Sequence, residues 1–389
     1  MHKNSILFII TDFGSFNNFL SELCFSLIKK HDFKISVICS SDKVIDFENK
    51  FDFESIGIHF HFVEIPRGYN ILKQINASKQ INSIIEIEQP DIIHAHFTTA
   101  IFTTLLLKKF KTKIWGTFHG LGFPVSKGLK KIMYIIMEYF CFSRLEKIIV
   151  LNEIDFINVP KSFRSRLIKN TCLGLGCDIQ KFDKKNFSAD MKSLLKKELK
   201  IDQQFILAFT GRFVYFKGFD IVAKLFIELS KKHNGLFKLI LIGGLDKIHI
   251  TGLKKEEEKL FFNHPDVISI GFTKEVNKYL AIVDLFIFPS KKEGIPISIT
   301  EALVMGIPVV TFNSRGCNEL VKDGYNGILI DENLHESEEI NLFVKAIERL
   351  SDDKELYNMF RINALHDREN LSRENYINEN INWYHHVLC

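Results

Sequence analysis

Two short segments carry residues whose types and spacing suit chemistry on an anionic, hydroxyl-rich ligand. The first is Gly211-Arg212-Phe213-Val214-Tyr215-Phe216-Lys217-Gly218. It follows an apolar run read as a strand, so Arg212 and Lys217 are expected in a strand-to-helix loop. Gly218 there permits close backbone approach. Two cations at a helix entrance suit a diphosphate. Taken alone, the segment also fits an ordinary surface loop with two basic residues.

The second segment is Pro289-Ser290-Lys291-Lys292-Glu293-Gly294-Ile295-Pro296-Ile297-Ser298-Ile299-Thr300-Glu301. Pro296 suits the first turn of a helix, where its missing N–H costs nothing. Gly306 suits the residue just past the helix end. Glu293 then falls in the loop before the helix, and Glu301 about a turn and a half inside it. The free amides of Ile297 and Ser298 offer an anion site. A carboxylate beside that site is costly unless it holds hydroxyls, as sugar recognition requires. The plainer reading is one exposed Glu and one Glu favoured by the helix dipole.

These segments need strands to position them. Apolar runs at 5–10, 34–40, 91–96, 113–118 and 147–151 alternate with amphipathic stretches, the first of them a helix from 14 to about 30. The pattern restarts at 205–210, 236–242, 267–270, 285–288, 308–312 and 327–330, and a helix is expected from 338 onward. Short β-branched runs bounded by turn signals fit parallel sheets buried on both faces. Two such series predict two doubly wound α/β domains, with the linker in 170–187. The expected domains are 1–175 and 176–371, with a last helix at about 372–389 packing back on the first. Ligands in such sheets bind beyond the carboxyl ends of the strands, where the two segments fall.

Composition sets wider bounds. The 389 residues are too many for one ordinary core. A hydrophobic share of 46% with 25% charged residues is that of a globular protein. A net charge of +4 implies no nucleic-acid partner. The basic excess is local, with 13 Lys/Arg against 4 Asp/Glu in residues 101–175. Within it, Lys127, Lys130, Lys131, Arg144 and Lys147 alternate with Ile132, Met133, Ile135, Ile136, Met137 and Phe140. Such a helix fits an anionic membrane surface and equally a core helix with a solvated basic edge. Seven scattered cysteines without metal-site spacing fit a reducing cytosol. No secretory signal is expected, and no run of 18 apolar residues spans a membrane.

The Gly-Arg-x4-Lys-Gly loop, the Glu-x7-Glu element and the ensuing 306–327 stretch resemble family 4 glycosyltransferases of the GT-B fold. That fold sets two Rossmann-like domains across a cleft. The resemblance implies a retaining enzyme using a nucleotide sugar, with UDP the expected carrier. By position, Arg212 and Lys217 would bind the donor diphosphate, and Glu301 the ribose hydroxyls. Glu293 would contact the donor sugar, Gly294 to Ser298 the phosphate or sugar, and Phe272 the base. Glu319 aligns with a family residue but receives no role. In the first domain Gly14 would lie near the diphosphate and His119 near the reacting carbon. Gly14-Ser15 replaces the Gly pair of many relatives. His94 and His96 fit core histidines and ligands equally well.

The stretch 116–124, followed by a helix carrying Glu138, is similar to enzymes that build surface polysaccharide on polyprenyl-diphosphate carriers. The resemblance therefore implies transfer of a hexose or N-acetylhexosamine to a lipid-linked saccharide, in the cytoplasm at the inner face of a bacterial membrane. No Asp-x-Asp ends a strand, so neither metal nor cofactor is expected. Two competing readings are a GT-B nucleotide-sugar 2-epimerase and a non-catalytic sugar-nucleotide-binding protein. The absence of G-x-G-x-x-G after residues 5–10 argues against a Rossmann dehydrogenase.

Overall fold

A computed structural model describes residues 3–41, 50–66, 68, 70–169, 172–246 and 249–388. The chain divides into two compact units, Met1–Thr171 with Tyr376–Cys389, and Cys172–Asn375. From Cys172 onward the expected linker belongs to the second unit, where Cys177, Ile179 and Phe182 are buried.

The first unit holds a seven-stranded parallel sheet. Its strands are β1 (Ser5–Asp12), β2 (Lys34–Ser40), β3 (Ile58–Phe62), β4 (Ile92–His96), β5 (Lys113–Phe118), β6 (Lys147–Val150) and β7 (Leu167–Lys169), in the order β3-β2-β1-β4-β5-β6-β7. Ile6, Leu7, Phe8, Ile9 and Ile10 of β1 are all buried, as a central strand covered on both faces requires.

Three expectations change here. The first helix breaks at Leu20, giving Phe13–Phe19 and Ser21–His31. β3 alternates His with Phe and so lacks the apolar run that marked the other strands. β7 has three residues, too few to leave a pattern.

The helix Arg373–Leu388 brings the chain back to the first unit. There Tyr384 stacks on Trp115 with ring centroids 5.3 Å apart, and Tyr376 and Ile381 are buried.

The second unit holds a six-stranded parallel sheet of β8 (Phe205–Phe213), β9 (Phe237–Leu245), β10 (Val267–Gly271), β11 (Leu285–Phe288), β12 (Val309–Phe312) and β13 (Gly327–Ile330). The order is β10-β9-β8-β11-β12-β13. In both sheets the winding reverses beside the first strand, between β1 and β4 and between β8 and β11. Crevices open beyond the carboxyl ends of the strands at such points. β8 runs three residues further than expected, so Arg212 sits on the strand end and only Lys217 lies in the loop beyond it.

Candidate active site

At the β8/β11 switch point of the second unit, a single turn of 3-10 helix, Tyr215–Lys217, leaves β8. Gly218 follows with φ 72°. A Cβ built there would stand 1.9 Å from the Pro289 carbonyl oxygen, so only glycine lets this loop press onto the end of β11. That approach brings Lys217 Nζ to 2.6 Å from Glu293 Oε1. Ser290 Oγ lies 2.7 Å from the same carboxylate oxygen and 3.1 Å from the Phe216 carbonyl. A hydroxyl has one proton, and the closer, charged acceptor takes it.

The Glu293 backbone is fixed as well. Arg315 Nε donates to its carbonyl at 2.9 Å. Gly316, at φ 79°, packs where a Cβ would lie 1.9 Å from the Gly294 carbonyl oxygen. The Glu293 side chain is 8% exposed and that of Lys217 22%, so their charges interact with little screening.

Arg212 points to a different partner. Its guanidinium nitrogen Nη1 lies 2.8 Å from Asp246 Oδ2, just past the end of β9, and remains half exposed. Both expected cations are therefore held by carboxylates. Ser290, Asp246 and Arg315 are members of this network that sequence reasoning missed. Asp246 and Arg315 reach Arg212 and Glu293 from separate segments, which no local spacing signals, whereas Ser290 stands only three residues before Glu293 in the same loop.

The helix after Glu293 is Ile297–Val304. Pro296 is its N-cap and not its first-turn residue, with φ −77° and ψ 114°. It has no side-chain cap, and its carbonyl accepts from the amides of Ile299 and Thr300. The Ile297 and Ser298 amides have no acceptor within the helix. Gly306, at φ 65°, ends the segment as expected. Burial raises the Glu301 carboxyl to about 7, against the pull of Arg373 and Lys181. Ile295 packs on Gly174, where a Cβ would meet its side chain at 2.5 Å. Phe272 follows β10 as an exposed ring beside Gly244, whose missing side chain leaves room for it.

The remaining candidates lie in the first unit. Asp12 caps the helix Phe13–Phe19, accepting from the Ser15 amide at 2.9 Å and its hydroxyl at 2.8 Å. Gly14 is buried in the first turn of that helix. His94 is a core histidine. Its ring nitrogens lie 2.6 Å from Tyr384 Oη and 2.7 Å from Thr117 Oγ1. His96 and His119 come together instead, with His96 Nδ1 3.1 Å from His119 Nε2. Among the described residues His96 Nε2 is buried without a partner. An unmet acceptor costs less than an unmet N–H, so His96 carries its proton on Nδ1 and donates to His119. Burial pushes the His119 imidazole down to about 3, and its ring stacks on Phe97 at 4.2 Å. Glu138 holds the loop after His119, accepting from the amides of Gly122 and Phe123 at 2.8 and 3.2 Å.

The basic amphipathic stretch is the helix Gly128–Arg144, and Lys147 lies outside it at the start of β6. Met137, Cys141 and Phe142 are buried. Leu129, Ile132 and Ile136 are 86%, 55% and 65% exposed, and Lys127, Lys130 and Lys131 beside them are exposed too. Residues three and four apart share a face, so these three aliphatics form one outward stripe.

Comparison with known proteins agrees with this architecture. Residues 190–367 match the family described as glycosyl transferases group 1, and residues 5–152 match glycosyl transferase 4-like. The chain is 30% identical over 327 residues to an uncharacterized glycosyltransferase of Haemophilus influenzae, covering 78% of this chain and 82% of that one. It is 25% identical over 344 residues to the Escherichia coli UDP-Gal:alpha-D-GlcNAc-diphosphoundecaprenol alpha-1,3-galactosyltransferase, covering 85% and 84%. Among solved structures, Anabaena HepE in complex with UDP matches with a TM-score of 0.75 at 16% identity, over 98% of this chain and 99% of that one.

Proposed function

The chain belongs to the group 1, family 4 glycosyltransferases of the GT-B fold, and from that premise we propose that it moves a hexose or N-acetylhexosamine from a UDP-sugar to a polyprenyl-diphosphate-linked saccharide, with retention at the anomeric carbon. The observation that carries this reading is the Lys217–Glu293 pair at the β8/β11 switch point, with Arg212 on the neighbouring strand end. The named acceptor of the Escherichia coli relative and the UDP bound to HepE support the choice of substrates.

As the bond from the anomeric carbon to the diphosphate oxygen breaks, negative charge grows on the leaving diphosphate. Arg212 exchanges Asp246 for this anion, and Lys217 and the Ile297 and Ser298 amides add positive charge. Groups fixed before the reaction stabilise the transition state more than the ground state. This charge is sufficient without a metal ion. Glu293, held by Lys217 and Ser290, accepts from donor-sugar hydroxyls, and Gly294 to Pro296 line the approach. Glu301 accepts from the ribose hydroxyls, and Phe272 packs on the base. The acceptor hydroxyl attacks the face the diphosphate leaves, and a departing phosphate oxygen takes its proton.

No described helix is long and apolar enough to cross a membrane. In this reading the stripe of Leu129, Ile132 and Ile136 rests on the inner face of the cell membrane, where a lipid-linked acceptor is held.

The test incubates the protein with a panel of UDP-sugars, with and without an undecaprenyl-diphosphate-linked saccharide. Acceptor-dependent transfer is expected, with a drop of about 10²–10³ in Arg212→Ala. Donor conversion that ignores the acceptor would point to an epimerase. Binding of UDP-sugars with no turnover on any acceptor would point to a non-catalytic receptor.

A further inference from the structure

The first unit carries a cluster that the glycosyl-transfer site does not use. β3 reads Ile58-His59-Phe60-His61-Phe62 and is the edge strand of the seven-stranded sheet. Side chains alternate along a strand. Phe60 turns to the core, with its ring 5.5 Å from Phe13 and 5.1 Å from Phe16. His59 and His61 share the opposite face, with ring centroids 4.6 Å apart. Glu88, the last residue of the helix Ile71–Glu88, reaches this face. Its Oε1 lies 3.0 Å from His59 Nδ1 and 2.8 Å from His61 Nε2.

We propose that His59, His61 and Glu88 form a binding site for one divalent transition-metal ion of borderline softness, best matched by Zn²⁺. Two imidazole nitrogens and a carboxylate oxygen suit Zn²⁺ and neighbouring first-row ions, whereas Mg²⁺ and Ca²⁺ prefer all-oxygen sets. The three ligand atoms lie within 4.8 Å of one another. In a tetrahedral site with bonds of about 2.0–2.1 Å, ligand atoms stand about 3.3 Å apart. The two imidazole–carboxylate separations need to open by only a few tenths of an ångström.

The carboxylate is also held from behind. Its other oxygen, Oε2, accepts from Lys34 Nζ at 3.1 Å and Ser36 Oγ at 2.9 Å, both on β2. Outer partners of this kind orient a ligand before the ion arrives. The Lys34 charge opposes a cation and limits its affinity, but Lys34 is more than half exposed and well solvated. The Glu88 side chain is 7% exposed and His59 63%, so the site is rooted in the fold and open to solvent. Three protein ligands leave at least one position for water. A bound ion would pin the edge strand to the end of a helix that follows it in sequence.

The test strips the protein with a chelator and titrates Zn²⁺ against a chromogenic competitor at pH 7.5. The wild-type protein should take up one more ion than the His59→Ala/His61→Ala double variant. His61→Ala alone should weaken that uptake more than tenfold. Zn²⁺ should raise the melting temperature of the wild-type protein and not of the double variant. Glu88→Gln keeps the side-chain shape and gives a second route should the double variant fold poorly. Equal stoichiometry and affinity in the wild-type protein and either variant would overturn the site. Glycosyl transfer by the stripped enzyme is a separate reading, so loss of the metal site leaves the proposed activity untouched.

Discussion

Lys217 Nζ stands 2.6 Å from Glu293 Oε1, and this pair ties the turn after β8 to the loop after β11. Removing one partner leaves the other poorly compensated in a site of low exposure. Lys217→Met and Glu293→Gln should each lower stability, with a coupling energy in the double-mutant cycle of about 1–3 kcal/mol. Turnover in Lys217→Met should fall by about 10²–10³ if the ammonium also meets the leaving group. Urea unfolding and initial rates on the same variants measure the two effects. Unchanged rates in a destabilised Lys217→Met would reduce the lysine to a structural strut.

Glu301 offers a pH test. Burial raises its carboxyl from about 4.5 to about 7 in the folded protein. The folded state therefore holds a proton between those values that the unfolded state has released. This group's contribution to stability is present in full below about 4.5 and is lost as pH rises through about 7. Ribose hydroxyls donate best to the ionised form, so UDP should bind more tightly as pH rises from 6 to 8. Calorimetric titration of the wild-type protein and Glu301→Gln isolates the effect from ionisation of UDP itself. Parallel pH dependences in the two proteins would remove Glu301 from the nucleotide site.

The histidines separate into two classes. His94 is enclosed by Tyr384 and Thr117, so Tyr384→Phe should cost about 1–3 kcal/mol through an unmet ring nitrogen while leaving turnover within twofold. His119, pushed down to about 3, stays neutral above that value. The rate profile should therefore show no limb near pH 6.5 that depends on His119. A limb at 6–7 that disappears in His119→Asn would contradict the neutral imidazole.

The outward stripe on the helix Gly128–Arg144 predicts lipid binding. Replacing Leu129, Ile132 and Ile136 together by Ser should reduce sedimentation with phosphatidylglycerol vesicles more than tenfold. Each of Lys127, Lys130 and Lys131 should contribute about 1 kcal/mol on anionic vesicles and little on neutral ones. Equal sedimentation of the wild-type protein with both vesicle types would place the stripe against something other than an anionic membrane.

What the sequence disclosed follows from the range of each interaction. The runs of β5, β11 and β13 match their strands residue for residue; β11 is apolar and buried throughout, as a central strand covered on both faces must be, whereas β5 opens on an exposed Lys113 and the edge strand β13 is half-buried at its centre. Gly306 at a helix end is similarly local. Asp246 escaped notice because it meets Arg212 only when β8 and β9 pair, and Arg315 reaches Glu293 only through the turn at Gly316. β3 was hidden by its histidines. The His96–His119 contact needs β4 beside β5, so each residue read singly is ambiguous.

The return of the last helix to the first unit has a consequence for biosynthesis. The second unit, Cys172–Asn375, is one continuous segment and can close its core as soon as it leaves the ribosome. The first unit emerges earlier, yet Trp115 and His94 wait for Tyr384, nearly three hundred residues downstream. Maturation is thus staggered against the order of synthesis. Synthesis interrupted before Tyr384 would leave a chain whose damage lies in the portion made first.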